Sequence, residues 1–396
     1  MAARSLARRY PNRSAFAGVF AATLMCFLAV GAVLPVLPRY VTGPLGAGDV
    51  AVGIVTGAFA FTAVVGRPIG GRIADRRGRR LIVLAGLLLT GLAGLLYFLP
   101  LGVPGLVLAR LVLGVGDGWV FTAGLAWAVD VTPPARRGQF IALYGLGVWG
   151  GLSFGPLIGE GLFHLGRYDL VWAFAAASPL VGALIARLVP DRRAPFTPDE
   201  RQPLVPLPAI RPGIALLLAQ IGYAALAGFI VLHLDDIGVG HGAAVFTAFA
   251  ITVVGARLLL SWVPDRAGPR ASVALAAAAQ ATGLALIAVA GSLAVAVAGA
   301  LVMGTGFSLS FPSLALLVVE EVDERTRGAA MGAFTAFFDV GVGIGGPLAG
   351  VVSSLGGYPA AFAVGAVCAA AGGVVAVLSR PPDAAPARAA SPTRSS

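Results

Sequence analysis

The stretch RPIGGRIADRRGRR, from Arg67 to Arg80, has a counterpart in RLLLSWVPDRAGPR, from Arg257 to Arg270. At an offset of 190 residues, Arg67, Asp75, Arg76, Gly78 and Arg80 recur as Arg257, Asp265, Arg266, Gly268 and Arg270. The same register continues outward: Arg137 and Gly138 recur as Arg327 and Gly328, Gly151 and Gly155 as Gly341 and Gly345, and Tyr168 as Tyr358. Chance does not place so many coincidences in one register, so the chain reads as two related halves. Between the charged patches lie apolar runs of roughly 20 residues, the length at which a helix crosses a bilayer.

Composition agrees. Of 396 residues, 58% are hydrophobic and only 12% charged, about half the charged share of a soluble domain. The solvent is lipid. Spans are read at 15–38, 50–71, 81–100, 104–128, 139–163, 170–189, 213–232, 243–263, 271–290, 292–318, 328–353 and 359–378. A transmembrane barrel would show short segments of alternating polarity. The expected fold is an all-α integral membrane protein: twelve transmembrane helices in two parallel six-helix repeats around a central cavity. Residues 1–14 form a cytoplasmic N-terminal segment, 15–189 the first half, 190–212 a cytoplasmic linker, 213–378 the second half, and 379–396 a disordered cytoplasmic tail.

A net charge of +10 invites nucleic acid as a partner, but the placement of the charge argues otherwise. All 28 basic residues are Arg. With the N-terminus in the cytoplasm, 23 fall on the cytoplasmic side, Arg39 and Arg167 lie opposite, and Arg67, Arg110 and Arg257 lie within spans. That is the positive-inside asymmetry of a multi-pass protein of the cell inner membrane with both termini cytoplasmic. The first span follows Arg4, Arg8, Arg9 and Arg13, but is long and lacks a small-residue cleavage site, so it reads as retained.

Chemistry-bearing side chains are few. Cys26 and Cys368 sit in spans without metal-ligand or disulfide spacing, as packing residues do. His164, His233 and His241 fall at non-cytoplasmic span ends and read as solvated loop residues. No metal site, hydrolytic triad or cofactor motif emerges, and an enzyme is not expected.

The segment containing Gly71, Asp75, Arg76, Gly78, Arg79 and Arg80 resembles the signature loop of the major facilitator superfamily. The resemblance implies a charge latch that holds the cytoplasmic side closed, with Asp265, Arg266, Gly268 and Arg270 as a second copy bearing Ser261 and Pro269 where the pattern differs. A carboxylate at one helix end can pair with Arg and with exposed N–H groups of a neighbouring helix. The plainer reading is that the Arg run only obeys topology. Arg110, Gly114 and Gly116 resemble a second family motif, in which a buried Arg is linked to proton transfer; Leu113 departs from it. Gly147, Gly151, Gly155 and Gly159, with Pro156, resemble the Gly-Pro motif of the family's antiporters, except that the run ends in Glu160. Four-residue spacing puts these glycines on one stripe that admits a close neighbour. Glu160 reads as a gate or access carboxylate, or as a headgroup-level residue. Stretches around Gly306–Pro312 and Asp339 look like bacterial arabinose-efflux-like or drug-efflux-like carriers.

Asp117 and Asp339 lie near mid-span, where an ionisable group needs a partner or a cavity. With Arg110 they are the proton-coupling candidates; interhelical hydrogen bonding is the alternative role. Met25, Trp119, Phe121, Gln220, Tyr223, Ser308 and Phe311 are candidate cavity residues, an aromatic wall with few polar groups that suits an amphipathic organic molecule, although aromatics at helical spacing also serve as packing. An anionic cargo opposite Arg110 stays open. The expected activity is secondary active transport, proton-coupled efflux of a drug or metabolite by a monomer. The alternative is an uptake symporter or uncoupled facilitator for a sugar or other small metabolite.

Overall fold

A computed structural model describes residues 11–132, 137–190, 207–322 and 327–378. Among these residues the only regular structure is helical, and ten segments are long and apolar enough to cross a membrane. In chain order the helices are α1 (Pro11–Val33), α2 (Val36–Thr42), α3 (Asp49–Arg77), α4 (Arg79–Leu96), α5 (Gly102–Asp130), α6 (Arg137–Leu188), α7 (Leu207–Asp236), α8 (Gly242–Leu259), α9 (Val263–Ala267), α10 (Pro269–Ala288), α11 (Leu293–Glu320) and α12 (Arg327–Val377). Outward faces carry bare apolar side chains such as Phe61, Leu88, Leu184 and Val367, the surface that lipid solvates.

Breaks fall where backbone chemistry demands. Pro35 lacks an N–H and separates α1 from α2 within the first expected span. Gly78 (φ 105°) and Gly268 (φ 79°) turn the chain into α4 and α10 at equivalent places in the register, conformations open to glycine alone without strain. The expected span at 243–263 ends sooner, at Leu259, and the short α9 follows with Pro264 in its first turn. Residues 207–212 of the expected linker are helical: α7 begins at Leu207 and contains Pro212. Linker residues 191–206, like 1–10 and the expected tail at 379–396, lie outside the described residues. The fifth and sixth expected spans form one helical run, α6, broken at Gly166 and Arg167; the eleventh and twelfth form α12, broken at Gly357.

The glycine stripes set the packing. A Cβ on Gly155 would stand 2.7 Å from the Gly31 Cα, and one on Gly151 2.6 Å from the Phe27 carbonyl carbon, so α6 lies directly on α1. In the second stripe, a Cβ on Gly345 would meet Ile221 Cα and Ala224 Cβ at 2.9 Å, placing α12 on α7 in the same manner. The 190-residue register persists in three dimensions. Gly116 packs on Gly86 and Thr90 as Gly306 packs on Ala276 and Gln280; Gly114 packs on Phe59 and Thr62 as Gly304 packs on Phe249 and Thr252.

The helices before residue 191 meet those after 206 mainly along α3 with α12 and α6 with α8. A Cβ on Gly57 would lie 2.9 Å from the Gly343 carbonyl oxygen, and one on Gly350 2.6 Å from that of Asp49. His233, expected in a solvated loop, is buried in α7 with its ring 5.4 Å from Phe362, because α7 continues to Asp236.

Candidate functional site

The α3–α12 contact that begins with small residues ends in an ion pair. Arg67 Nη2 donates to Asp339 Oδ1 at 3.1 Å. Its Nε stands 2.9 Å from Oδ2 without the alignment of a hydrogen bond. The Asp339 side chain is 2% exposed and that of Arg67 16%, so water screens this pair little. The pair joins residues 272 positions apart. Arg67 reaches it because Gly118 leaves room for its stem: a Cβ there would lie 3.1 Å from Arg67 Cγ. The Phe121 ring supports the guanidinium at 4.7 Å, a cation–π contact.

Asp117, beside Gly118 on α5, is buried, and its Oδ1 has no hydrogen-bond partner among the described residues. The charges of Arg67 and Arg110 both act on it, and its own acts on Asp339. Two buried carboxylates thus share the field of Arg67, which binds one of them. Arg110 is engaged elsewhere: Nε donates to the Val55 carbonyl at 3.2 Å, Nη2 to that of Thr56 at 3.0 Å, and the Phe59 ring lies 4.8 Å away. It pins α5 to α3 and is 1% exposed.

Two further charge clusters sit at opposite ends of the helices. Arg39, at the end of α2, donates through Nη1 to both oxygens of Glu160 (2.8 and 2.9 Å), and through Nε and Nη2 to Asp235 (2.7 and 3.1 Å). Glu160 is therefore bound to Arg39 within the first group of helices, and the arm to Asp235 crosses to the second. Tyr358 crosses back at the same end, donating to Asp49 Oδ1 at 3.3 Å. At the other end, Asp75 pairs with Arg79, and Arg79 Nε donates to Asp130 at 3.2 Å, tying α3, α4 and α5 together. Arg76 is exposed, Gly71 and Arg80 partly so. In the second copy Arg266 lies over the Trp262 ring at 4.9 Å and Arg270 is exposed; the Asp265 side chain lies outside the described part.

The expected cavity residues separate into two sets. Met25 lies against α6 beside Ser178 and Gly182, Ser308 donates to the Val253 carbonyl at 2.8 Å, Gln220 is buried beneath Gly341, and Phe311 packs on Phe334 at 5.2 Å. Trp119 donates to the Gly66 carbonyl at 3.0 Å. Phe121 adjoins Arg67, and Tyr223 joins a ring cluster, 5.3 Å from Phe307 and 5.9 Å from Phe249. Residue-type reasoning passed over Arg67, Arg39 and Asp235 as site residues. The signal for Arg67 was present: Asp339 needs a cation within the membrane, and Arg67 is one of few Arg inside the expected spans.

A model of the Major Facilitator Superfamily matches residues 19–325 and, in a second match, 213–395. The chain is 30% identical over 370 residues to an uncharacterized transporter of this type from Salmonella typhimurium, covering 91% of this chain and 95% of the relative. An uncharacterized transporter of the same type from Burkholderia mallei is 33% identical over 377 residues, with 91% and 92% covered. The crystal structure of the nucleoside transporter NupG superposes with a TM-score of 0.75 at 16% identity, covering 91% of this chain and 98% of that one; at that identity the likeness concerns the fold. A multi-pass helical chain matched across most of its length by the family model, with relatives equally complete, belongs to the Major Facilitator Superfamily of membrane transporters.

Proposed function

We propose that this transporter exports a small amphipathic organic molecule in exchange for protons, by alternating access. The carrying observation is the Arg67–Asp339 pair, with the unpartnered Asp117 Oδ1 in the same field. A proton arriving from outside on Asp339 removes the charge that holds Arg67, and the guanidinium turns to Asp117. The ionic tie between α3 and α12 is then lost, so proton binding and separation of the two groups are one linked equilibrium. The cytoplasmic side opens, the proton leaves, and cargo enters.

The architecture we propose is twelve crossings in two six-helix repeats. Helix α6 spans 52 residues and α12 spans 51, each roughly 75 Å of helix, more than twice the ~30 Å hydrocarbon core. Their breaks at Gly166–Arg167 and Gly357 let each cross twice. The packings repeated at one register support the repeat, and the Arg distribution supports cytoplasmic termini in a bacterial inner membrane. In this orientation Asp75, Arg79 and Asp130, with Gly71, Arg76, Gly78 and Arg80 around them, lie at the cytoplasmic end, where they brace α3, α4 and α5 as one unit of the latch, and Asp265, Arg266, Gly268 and Arg270 are its second copy. The Arg39 cluster closes the opposite face. The working unit is a monomer.

The test uses everted vesicles energised by respiration, with a pH-sensitive dye inside and a panel of amphipathic drugs, then sugars, added outside. Drug-evoked proton efflux that disappears in Asp339→Asn and Asp117→Asn supports the exchanger. A response to sugars alone, or transport indifferent to both carboxylates, replaces it with a metabolite symporter or an uncoupled facilitator.

A further inference from the structure

The 190-residue register sets the proton site beside a second site of different chemistry. Arg67 corresponds to Arg257, Asp339 to Trp149, and Asp117 to Phe307. One wing of the molecule therefore holds a guanidinium with two carboxylates, while the matching wing holds a guanidinium with two aromatic rings. We propose that Arg257, with Trp149, Phe249 and Phe307, binds the cargo, and that the cargo is an organic anion with an apolar, ring-bearing body. The proposal rests on the reading of this chain as an exporter of amphipathic molecules and narrows its cargo class.

The geometry is consistent along both helices. Phe249, Val253 and Arg257 follow at four-residue spacing on α8, one face of the helix. Opposite, Gly145 and Trp149 are one turn apart on α6, and Arg257 Nη1 lies 3.8 Å from where a Gly145 Cβ would stand, so the guanidinium rests against bare backbone. The three rings form a closed set: Trp149 to Phe307 5.3 Å, Phe249 to Phe307 5.3 Å, Trp149 to Phe249 6.5 Å. Tyr223 caps it from α7.

Arg257 is half-buried and, among the described residues, has no ion pair, hydrogen bond or ring beneath it. Arg67 and Arg110 are both engaged, Arg67 by Asp339 and Arg110 by two carbonyls. Arg257 stands in the last turn of α8, and a half-buried guanidinium without a partner among the described residues marks a candidate functional position. A carboxylate or sulfonate on the cargo would accept the planar fork that Arg presents, and Trp149, the partly buried ring of the three, would take its apolar body with Phe249 and Phe307 buried behind it. Arg110, the sequence-based candidate for an anionic cargo, gives Nε and Nη2 to carbonyls, which leaves only its buried Nη1 without a hydrogen-bond partner among the described residues.

The experiment is equilibrium binding by calorimetry to purified protein in nanodiscs, without any proton gradient, using 1-naphthoate, neutral 1-naphthamide and cationic 1-naphthylmethylammonium. Wild type should bind naphthoate at least tenfold more tightly than the other two. Arg257→Gln should abolish that preference, Arg257→Lys should keep part of it, and Trp149→Ala should weaken all three probes together. Each variant should elute as a single folded species. Equal affinity for the three probes, no naphthoate binding to wild type, or a preference that survives Arg257→Gln would overturn the proposal. Because no gradient is present, loss of proton coupling cannot produce any of these results; it would appear only in the vesicle experiment.

Discussion

Removing Arg39 should bias the transporter toward the state open on the Arg39 face. Of its two arms, the pair of bonds to Glu160 stays within one group of helices and has no stake in opening. The arm to Asp235, with contacts of 2.7 and 3.1 Å, is the one that crosses. The Asp235 side chain is 37% exposed and Arg39 17%, so solvent screening discounts that arm to about 0.5 kcal/mol. In Arg39→Gln, Glu160 and Asp235 lose their shared counter-charge and face each other as like charges, which adds a comparable amount. The sum, about 1 kcal/mol, shifts the open-to-closed ratio roughly fivefold. Asp235→Asn removes only the crossing arm and should shift it about twofold.

Spin labels at Leu165 and His241, both exposed near this face, would report the distance distribution in nanodiscs after Cys26 and Cys368 are replaced. Added salt should shrink the difference between wild type and Arg39→Gln. Arg39→Glu combined with Asp235→Arg should restore the closed population, because the new Arg can hold both carboxylates. Identical distributions in wild type and Arg39→Gln, or strictly additive effects in the double variant, would refute the reasoning.

Other outcomes follow from the same contacts. Gly155→Leu should lower the apparent Tm in detergent by several degrees or prevent accumulation, because the backbone of Gly31 stands where the side chain must go. Gly118→Ala should be milder: its Cβ would press on Arg67 Cγ, so transport should fall while the Tm stays within a few degrees. Arg110→Lys should destabilise the protein by about 1–3 kcal/mol, read as a lower unfolding midpoint, since an ammonium cannot span both carbonyls. Asp75→Asn should change stability by less than about 1 kcal/mol, because its pair with Arg79 is exposed.

The local chemistry of the fold was legible in the sequence. Apolar run length showed the helices, and the recurrence of Gly151 and Gly155 as Gly341 and Gly345 showed which faces would be packed closely. The divisions between the fifth and sixth and between the eleventh and twelfth expected spans coincide with the breaks at Gly166–Arg167 and Gly357, where glycine interrupts the helical backbone. The site was half legible. Asp117 and Asp339 stood out as costly at mid-span, but their partners depend on long-range docking: Arg67 is 272 residues from Asp339. Span number alone does not say which way a side chain points: Met25 contacts Ser178 and Ser308 donates to the Val253 carbonyl, partners that no local pattern names.

The most direct test of proton-linked opening needs no cargo. Spin labels at Arg72 on α3 and Gly332 on α12, both exposed and the latter with open space around it, would report separation of the two groups as pH is varied in nanodiscs. The account predicts a longer distance in wild type as pH falls, and in Asp339→Asn the long distance at every pH. A pH-dependent distance that persists unchanged in Asp339→Asn would contradict it.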